Sequence, residues 1–412
     1  MNCLFRTSLV TSVVALSLPA VVSNRALDDW SQWRGKNRDG ISTERGLLKD
    51  WPTGGPTLAW TVKGAGEGYS SFAVSGGKVY TLGARGGTEY TMAFDEATGR
   101  KLWEVATGTR FSNDRGDGPR GTPTIDGGQV FAYGASGDLA VLDAATGKVG
   151  WKINVLEKFG GSNITWGLSE SPLVMPDRIL VNAGGNSASI VALSRKDGSL
   201  LWKSGRDQAG YSSGILHAFQ GTPQAIFFSA SHGVAVDARD GRELWTYGKA
   251  SNRTANIATP IARGNKVFFS SDYGTGAGLV ALSGDNNKIT ATEVYFTREM
   301  RNHHASSVLV GDHLYGFSSA ILTAMRFDTG EVAWRDRSVG KGSTVFADDR
   351  LYLFSENGVV GIAEANPAGY REHGRFEIRT GSLPTWSHPV VANGKLYLRD
   401  QDTIYAYSVA AK

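Results

Sequence analysis

Asp95-Glu-Ala-Thr-Gly99-Arg-Lys-Leu-Trp103 is a phrase that this chain keeps returning to. It recurs as Asp143…Gly147…Trp151, as Ser194…Gly198…Trp202 and as Asp237…Gly241…Trp245, with a shorter version at Asp328-Thr-Gly330-Glu-Val-Ala-Trp334. A tryptophan returning about every 40 to 50 residues marks a repeat architecture. The chemistry of the phrase is mechanical. A leading Asp or Ser bonds loop amides, the glycine accepts a positive φ, and the tryptophan supplies a large apolar face.

Each repeat opens with a small-residue segment. A polar turn, an aromatic-ending strand, a second apolar strand, the Asp-x-x-x-Gly turn and the tryptophan strand follow. In the first unit these are Ser71–Val74, Gly76-Gly-Lys, Val79–Leu82, Tyr90–Phe94 and Lys101–Val105. Four short strands joined by tight turns make one antiparallel blade. First strands are expected near Ser71, Thr122, Ser171, Ser213, Thr259, Ser306, Ser343 and Ser387, which makes eight. The eighth unit ends without a tryptophan strand, whereas Leu58-Ala-Trp60-Thr-Val62 precedes the first blade with no blade of its own. That segment is expected to complete the eighth blade and close the ring, which removes exposed sheet edges. The fold class is therefore all-β, an eight-bladed propeller of four-stranded antiparallel blades. Trp60, Trp103, Trp151, Trp202, Trp245 and Trp334 are read as structural docking residues. Tyr295-Phe296 and Phe376 fill that place in the fifth and seventh units.

Length and composition agree. A chain of 412 residues is long for one ordinary domain, but a radial repeat grows by adding blades. Its 53 glycines and 11 tryptophans match many tight turns and many similar packing sites. Basic residues (43) barely exceed acidic ones (39) and form no block, so nucleic acid is not an expected partner. Arg6 followed by the apolar run Leu9–Val22 reads as an export signal. That run is too short to span a bilayer, which takes about 20 residues. Residues 1–26 are expected to be the signal peptide, 27–54 a leader and 55–412 the propeller. The alternative for the first segment is an uncleaved anchor. The only cysteine, Cys3, lies inside the signal and ahead of its apolar run. The mature chain then has no disulfide, no thiol-based metal site and no transmembrane segment. Its expected location is periplasmic or extracellular.

The phrases Ala97-Thr-Gly-Arg-Lys-Leu-Trp103 and Ala145-Thr-Gly-Lys-Val-Gly-Trp151 resemble the pyrroloquinoline-quinone-type (PQQ-like) propeller repeat, and the resemblance spans about residues 55 to 408. The opening Trp30-Ser-Gln-Trp33-Arg34-Gly35 through Arg38-Asp39-Gly40 is similar to the leader of exported members. The resemblance implies one of two functional kinds. One is the quinone-dependent alcohol and sugar dehydrogenases. The other is the non-catalytic propeller, such as the lipoprotein of the outer-membrane β-barrel assembly machinery. The repeat is common to both.

Loops entering the innermost strands converge near the propeller axis, a natural ligand site. The candidates there are Arg115, Arg120, Trp166, Glu170, Tyr211, Asn256, His303, His304, Lys341, Trp386 and His388. Together they offer aromatic faces, cations for an anion and a candidate metal ligand. Each has a structural reading as well. Adjacent His303 and His304 alternate on a strand, so at most one faces the channel. Trp166 lies off the repeat phase, which sets it apart from the docking tryptophans. A quinone dehydrogenase requires calcium held by oxygen ligands, a carboxylate base and a flat group beside the quinone. Members of that kind often carry adjacent cysteines, and here there are none. Glu170, Asn256, Trp166 and Arg120 provide only loose material for such a pocket. The favoured reading is an exported non-catalytic binding or scaffold module without cofactor, metal or catalytic residues, engaging an envelope protein, a polymer or a small molecule. The alternative is a PQQ- and calcium-dependent oxidation of an alcohol or sugar.

Overall fold

A computed structural model describes residue 1, residues 29–285 and residues 288–411. The signal expected over 1–26, with Cys3, falls outside the described residues but for Met1. Eight separate antiparallel sheets follow one another along the chain, each built as the repeat dictates. The first blade runs Ala73–Ser75, Lys78–Arg85, Thr88–Asp95 and Lys101–Thr109, in spatial order from axis to rim. The innermost strands of blades 1 to 6 begin two residues after the expected Ser or Thr, as at Ala73, Thr124, Leu173, Ile215, Ile261 and Val308.

Those Ser and Thr residues explain their own recurrence. The Ser71 amide donates to Thr122 Oγ1 at 3.2 Å, the Thr122 amide to Ser171 Oγ at 2.9 Å, and the Ser171 amide to Ser213 Oγ at 2.9 Å. The Thr259 amide repeats this with Ser306 Oγ at 2.8 Å. Each hydroxyl thus satisfies a buried amide of the preceding blade, which would otherwise stand unpaired where the blades crowd the axis.

The ring closes as the sequence predicts. Thr57–Lys63 pairs antiparallel with Thr403–Ser408, with Trp60 opposite Ala406 and Lys63 opposite Thr403. The chain's beginning and end therefore share one blade, and the propeller has no open edge between blades 8 and 1.

The tryptophan phrase forms a handshake from blade to blade. The Trp60 indole donates to Glu96 O at 3.1 Å, Trp103 to Ala144 O at 3.3 Å, and Trp151 to Arg195 O at 2.9 Å. Each acceptor is the residue after the leading Asp or Ser of the next blade's turn. Each ring also covers that turn's glycine. A Cβ on Gly99, whose φ is +74°, would stand 2.7 Å from the Trp60 ring. The leading carboxylate holds the turn: Asp143 Oδ1 accepts from the Ala145 and Thr146 amides and from the Thr146 hydroxyl. In the fifth blade Tyr295 takes the part of the tryptophan, donating to Phe327 O at 2.9 Å and covering Gly330. This shows that the sixth phrase is full length after all. Arg326 stands in the Asp position, and the Gly330 amide closes the turn on Arg326 O. Trp202 covers Gly241, but its indole nitrogen has no protein partner. Trp245 faces a blade without the phrase and turns to Gln224 Oε1 of its own blade, at 2.6 Å.

Two features were not expected. Blade 7 has a fifth strand, because leader residues Ile41–Ser42 pair in parallel with the innermost Gly342–Ala347. A one-turn helix, Val155–Phe159, follows blade 2, capped by Asn154 and ended by left-handed Gly160. Elsewhere the middle strands of each blade are almost fully buried and the outer strands half-exposed. Apolar faces of neighbouring blades pack together, as Phe131, Leu139 and Val141 do on Ile179, Val181 and Val191.

Candidate functional site

The leader occupies the channel. A tight loop at residues 34–40, with Arg34 and Arg38 both in the left-handed region, drives two guanidinium groups into the ring of innermost strands. Arg38 donates to Ser171 O at 3.1 Å, to Gly214 O at 2.9 Å and to Pro172 O. Arg34 donates to Ser307 O at 2.6 Å and Ser306 O at 3.3 Å on the far side. Both are buried, and burial pulls each pKa down to about 10. The carbonyl cradle compensates by fixed dipoles what the groups lose in hydration.

Above this plug, a funnel with a cavity of about 380 Å³ opens on one face. Trp33 of the leader lies in its wall, with its indole tied to Thr259 Oγ1 at 2.9 Å and its ring 4.5 Å from that of His388. Nine of the sequence candidates line this cavity: Arg115, Arg120, Trp166, Tyr211, His303, His304, Lys341, Trp386 and His388. Trp33, Tyr69, Ser169, Ser213, Ile257 and Tyr273 join them.

Glu170 and Asn256 do not line the funnel, which corrects their place among the channel-mouth candidates. Glu170 stands three residues before the innermost strand that starts at Leu173, but Ser169 faces the cavity and Glu170 turns into the blade. There its Oε2 accepts from the Asn182 amide at 2.7 Å. Asn256 ties two loops together, donating to Ser229 O and Ala230 O at 2.9 and 2.8 Å and accepting from the Asn252 amide. The expectation that only one of His303 and His304 can face the channel is also corrected. They sit in a bend rather than a strand, anchored by Asn302 on Phe317 O and Ser307, and both line the cavity.

The lining is aromatic and cationic. Trp166 lies against Tyr211 at 5.7 Å and near-parallel to Tyr273 at 6.4 Å and 13°. Tyr69 lies against Trp386 at 5.1 Å. Arg120 donates to Gly116 O and Gly118 O and sits over the Tyr69 and Phe111 rings. Lys341 pairs with Glu356 at 3.3 Å, and Glu356 also accepts the Trp386 indole. Arg115 stands at the rim, with a side chain 64% exposed. Burial keeps the three imidazoles neutral. It holds His303 low and His304 well below its ordinary value, and brings His388 down to about 4.

These residues do not fit a calcium-bound quinone. No carboxylate lines the cavity, whereas calcium takes six to eight oxygen ligands and the oxidation needs a carboxylate base. Among the described residues no group of three or more His, Cys, Asp or Glu is placed to hold a metal ion. The parallel pair Trp166–Tyr273 is also too close to admit a flat ring between its members. Insertion needs about 7 Å, twice an optimal carbon–carbon separation, against the observed 6.4 Å.

The family model described as "Outer membrane protein assembly factor BamB" matches residues 87–336. The chain belongs to this family. BamB of Shewanella oneidensis is 25% identical over 336 residues, covering 68% of this chain and 81% of that protein. The crystal structure of BamB from Moraxella catarrhalis superposes with a TM-score of 0.62 at 16% identity, over 86% of this chain and 99% of that one. Quinohemoprotein alcohol dehydrogenase from Comamonas testosteroni superposes with a TM-score of 0.65 at 14% identity, over 93% and 81%. At these identities both superpositions speak for the propeller alone. Family membership agrees with the scaffold reading of the sequence over the dehydrogenase reading. Among the described residues no helix is long and apolar enough to cross a membrane.

Glu170 supplies a prediction of its own. Burial pushes its pKa up to about 8, only partly opposed by the Asn182 amide and by Arg38. The folded chain therefore holds a proton that the unfolded chain loses above about pH 4.5. The stability from this proton is full below that pH and is lost as pH rises through about 8. Glu89, pushed up to about 7, acts in the same direction. Glu170→Gln is expected to flatten the fall in unfolding free energy between about pH 5 and pH 8.5 in urea titrations. An unchanged slope would contradict the buried, protonated carboxyl.

Proposed function

We propose that this chain is an exported, non-catalytic propeller that works as a binding and scaffold module in the cell envelope, with the funnel face as its point of engagement. The observation that carries this reading is the funnel lining. It combines aromatic rings and cations with no carboxylate, an arrangement suited to recognition and poorly suited to oxidation chemistry. The channel is filled by the chain's own leader, which gives the face a floor tied to the innermost strands. The family's description adds the partner class. By that likeness, the module assists the assembly of outer-membrane proteins.

The test is genetic and biochemical. Deleting the gene in its host should lower the outer-membrane content of β-barrel proteins, and the tagged chain should co-elute with an envelope assembly component. Unchanged barrel-protein levels together with no co-eluting component would refute the scaffold role.

A further inference from the structure

The funnel's chemistry narrows what it takes. Arg120 is held in place by two backbone carbonyls, and among the described residues no carboxylate stands within ion-pair distance of it. Glu89 and Asp117 act on it only as nearby charges, so its guanidinium has no direct counterion at the cavity. His304 lines the same cavity, and neither of its ring nitrogens has a hydrogen-bond partner although neither is reached by solvent. A neutral imidazole carries one donor and one acceptor, and leaving both unmade is costly. An oxyanion flanked by hydroxyls would satisfy both groups at once. The pairs Trp166–Tyr211 and Tyr69–Trp386, by contrast, are tilted at 39° and 42°, and the near-parallel pair Trp166–Tyr273 is too close to serve as a slot. Tilted faces suit a puckered ring whose C–H bonds meet the negative π surface, and they do not suit a flat aromatic acid. The cavity of about 380 Å³ holds one or two such rings.

We infer that the funnel binds a small acidic sugar, with its carboxylate on Arg120 and His304 and its ring against Trp166. This inference rests on reading the funnel as a binding face and goes beyond it by naming the ligand class. The groups around His304 set the pH response. His303, His388 and Lys341 disfavour its protonation, Arg34 acts the same way on His388, and Asp272 and Glu356 act oppositely through His303. A bound carboxylate supplies the countercharge that this cluster lacks, so binding strengthens as pH falls below the ordinary imidazole value of 6.5.

The experiment follows tryptophan fluorescence and heat as mature protein is titrated with glucuronate, galacturonate, their neutral parents glucose and galactose, and benzoate. At least one uronate should bind saturably, at least tenfold more tightly than its neutral parent and than benzoate. That binding should weaken with added salt and with rising pH. Trp166→Ala and Arg120→Gln should each lower it at least tenfold. Should Arg120→Gln fail to fold, the salt dependence of the wild-type chain reports the same charge. The proposal is overturned if neither uronate binds, if a neutral sugar binds as well, or if benzoate binds best. A negative titration alongside a captured envelope component would remove the sugar and leave the scaffold reading standing.

Discussion

Arg38→Ala lowers the unfolding free energy by about 4 kcal/mol, because it strands three buried carbonyls that share one guanidinium, at about 1–3 kcal/mol for each acceptor left unmade. Ser171, Pro172 and Gly214 belong to the innermost strands of blades 3 and 4 or lead into them, and the crowded axis leaves little room for water to replace the donor. The same side chain also reaches Gln32 Oε1 at 2.8 Å, so its loss loosens the loop that positions Trp33. Against a total of about 5–15 kcal/mol for a typical domain, this is a large fraction. Arg38→Lys should fall between, since one ammonium cannot reproduce the fork that spans two strands. Urea titration of the three proteins checks the order. A loss below about 1 kcal/mol for the alanine variant would mean that the leader is an ornament and not a plug.

The second large effect is expected at the seam. Arg399 is fully buried at the junction of blades 8 and 1. It donates to Ser70 O, Leu82 O, Ala65 O and Gly66 O, and to Thr81 Oγ1 at 2.8 Å, all of them in blade 1 or the turn leading to it. Burial brings its pKa down to about 10, with Asp402 and Asp400 opposing. Asp402 in turn accepts the Gly64 and Gly66 amides, so both sides of the seam are bound to one charged cluster. Arg399→Ala is expected to cost about as much as Arg38→Ala, on the order of 4 kcal/mol. The more telling sign is where the molecule opens. Amides of Thr57–Lys63 and Thr403–Ser408 should exchange with solvent much faster than those of blade 4, because the ring is cut where it was closed. Uniform acceleration around the ring would contradict a localised seam.

Much of this was legible in the chain. The eight blade starts followed from Ser and Thr residues, four of whose hydroxyls accept an amide of the preceding blade, and the closing strand followed from Trp60 lacking a blade of its own. The periodic signal worked because every blade solves the same packing problem. Residues that act once were harder to read. Trp33 meets Thr259 across the whole ring, a contact that leaves no trace in local spacing. Arg399 sits in a strand and looks like an ordinary solvent-facing polar residue until its neighbours are known. Tyr273, at φ 55°, reaches the cavity through a turn conformation that its sequence does not announce. Glu170 was misplaced for a geometric reason. Adjacent residues point in opposite directions, and Ser169 took the inward one. His303 and His304 escaped the same rule because their backbone bends instead of extending.

On the proposed reading, a PQQ-like ring recognises a partner without carrying out quinone chemistry. Calorimetric titration of the mature protein with pyrroloquinoline quinone, with and without calcium, separates the two roles. With no carboxylate in the funnel and no slot for a flat ring, calcium should make no difference, and no saturable, calcium-dependent heat should appear. Tight binding that requires calcium would contradict the account and make the funnel an oxidation site.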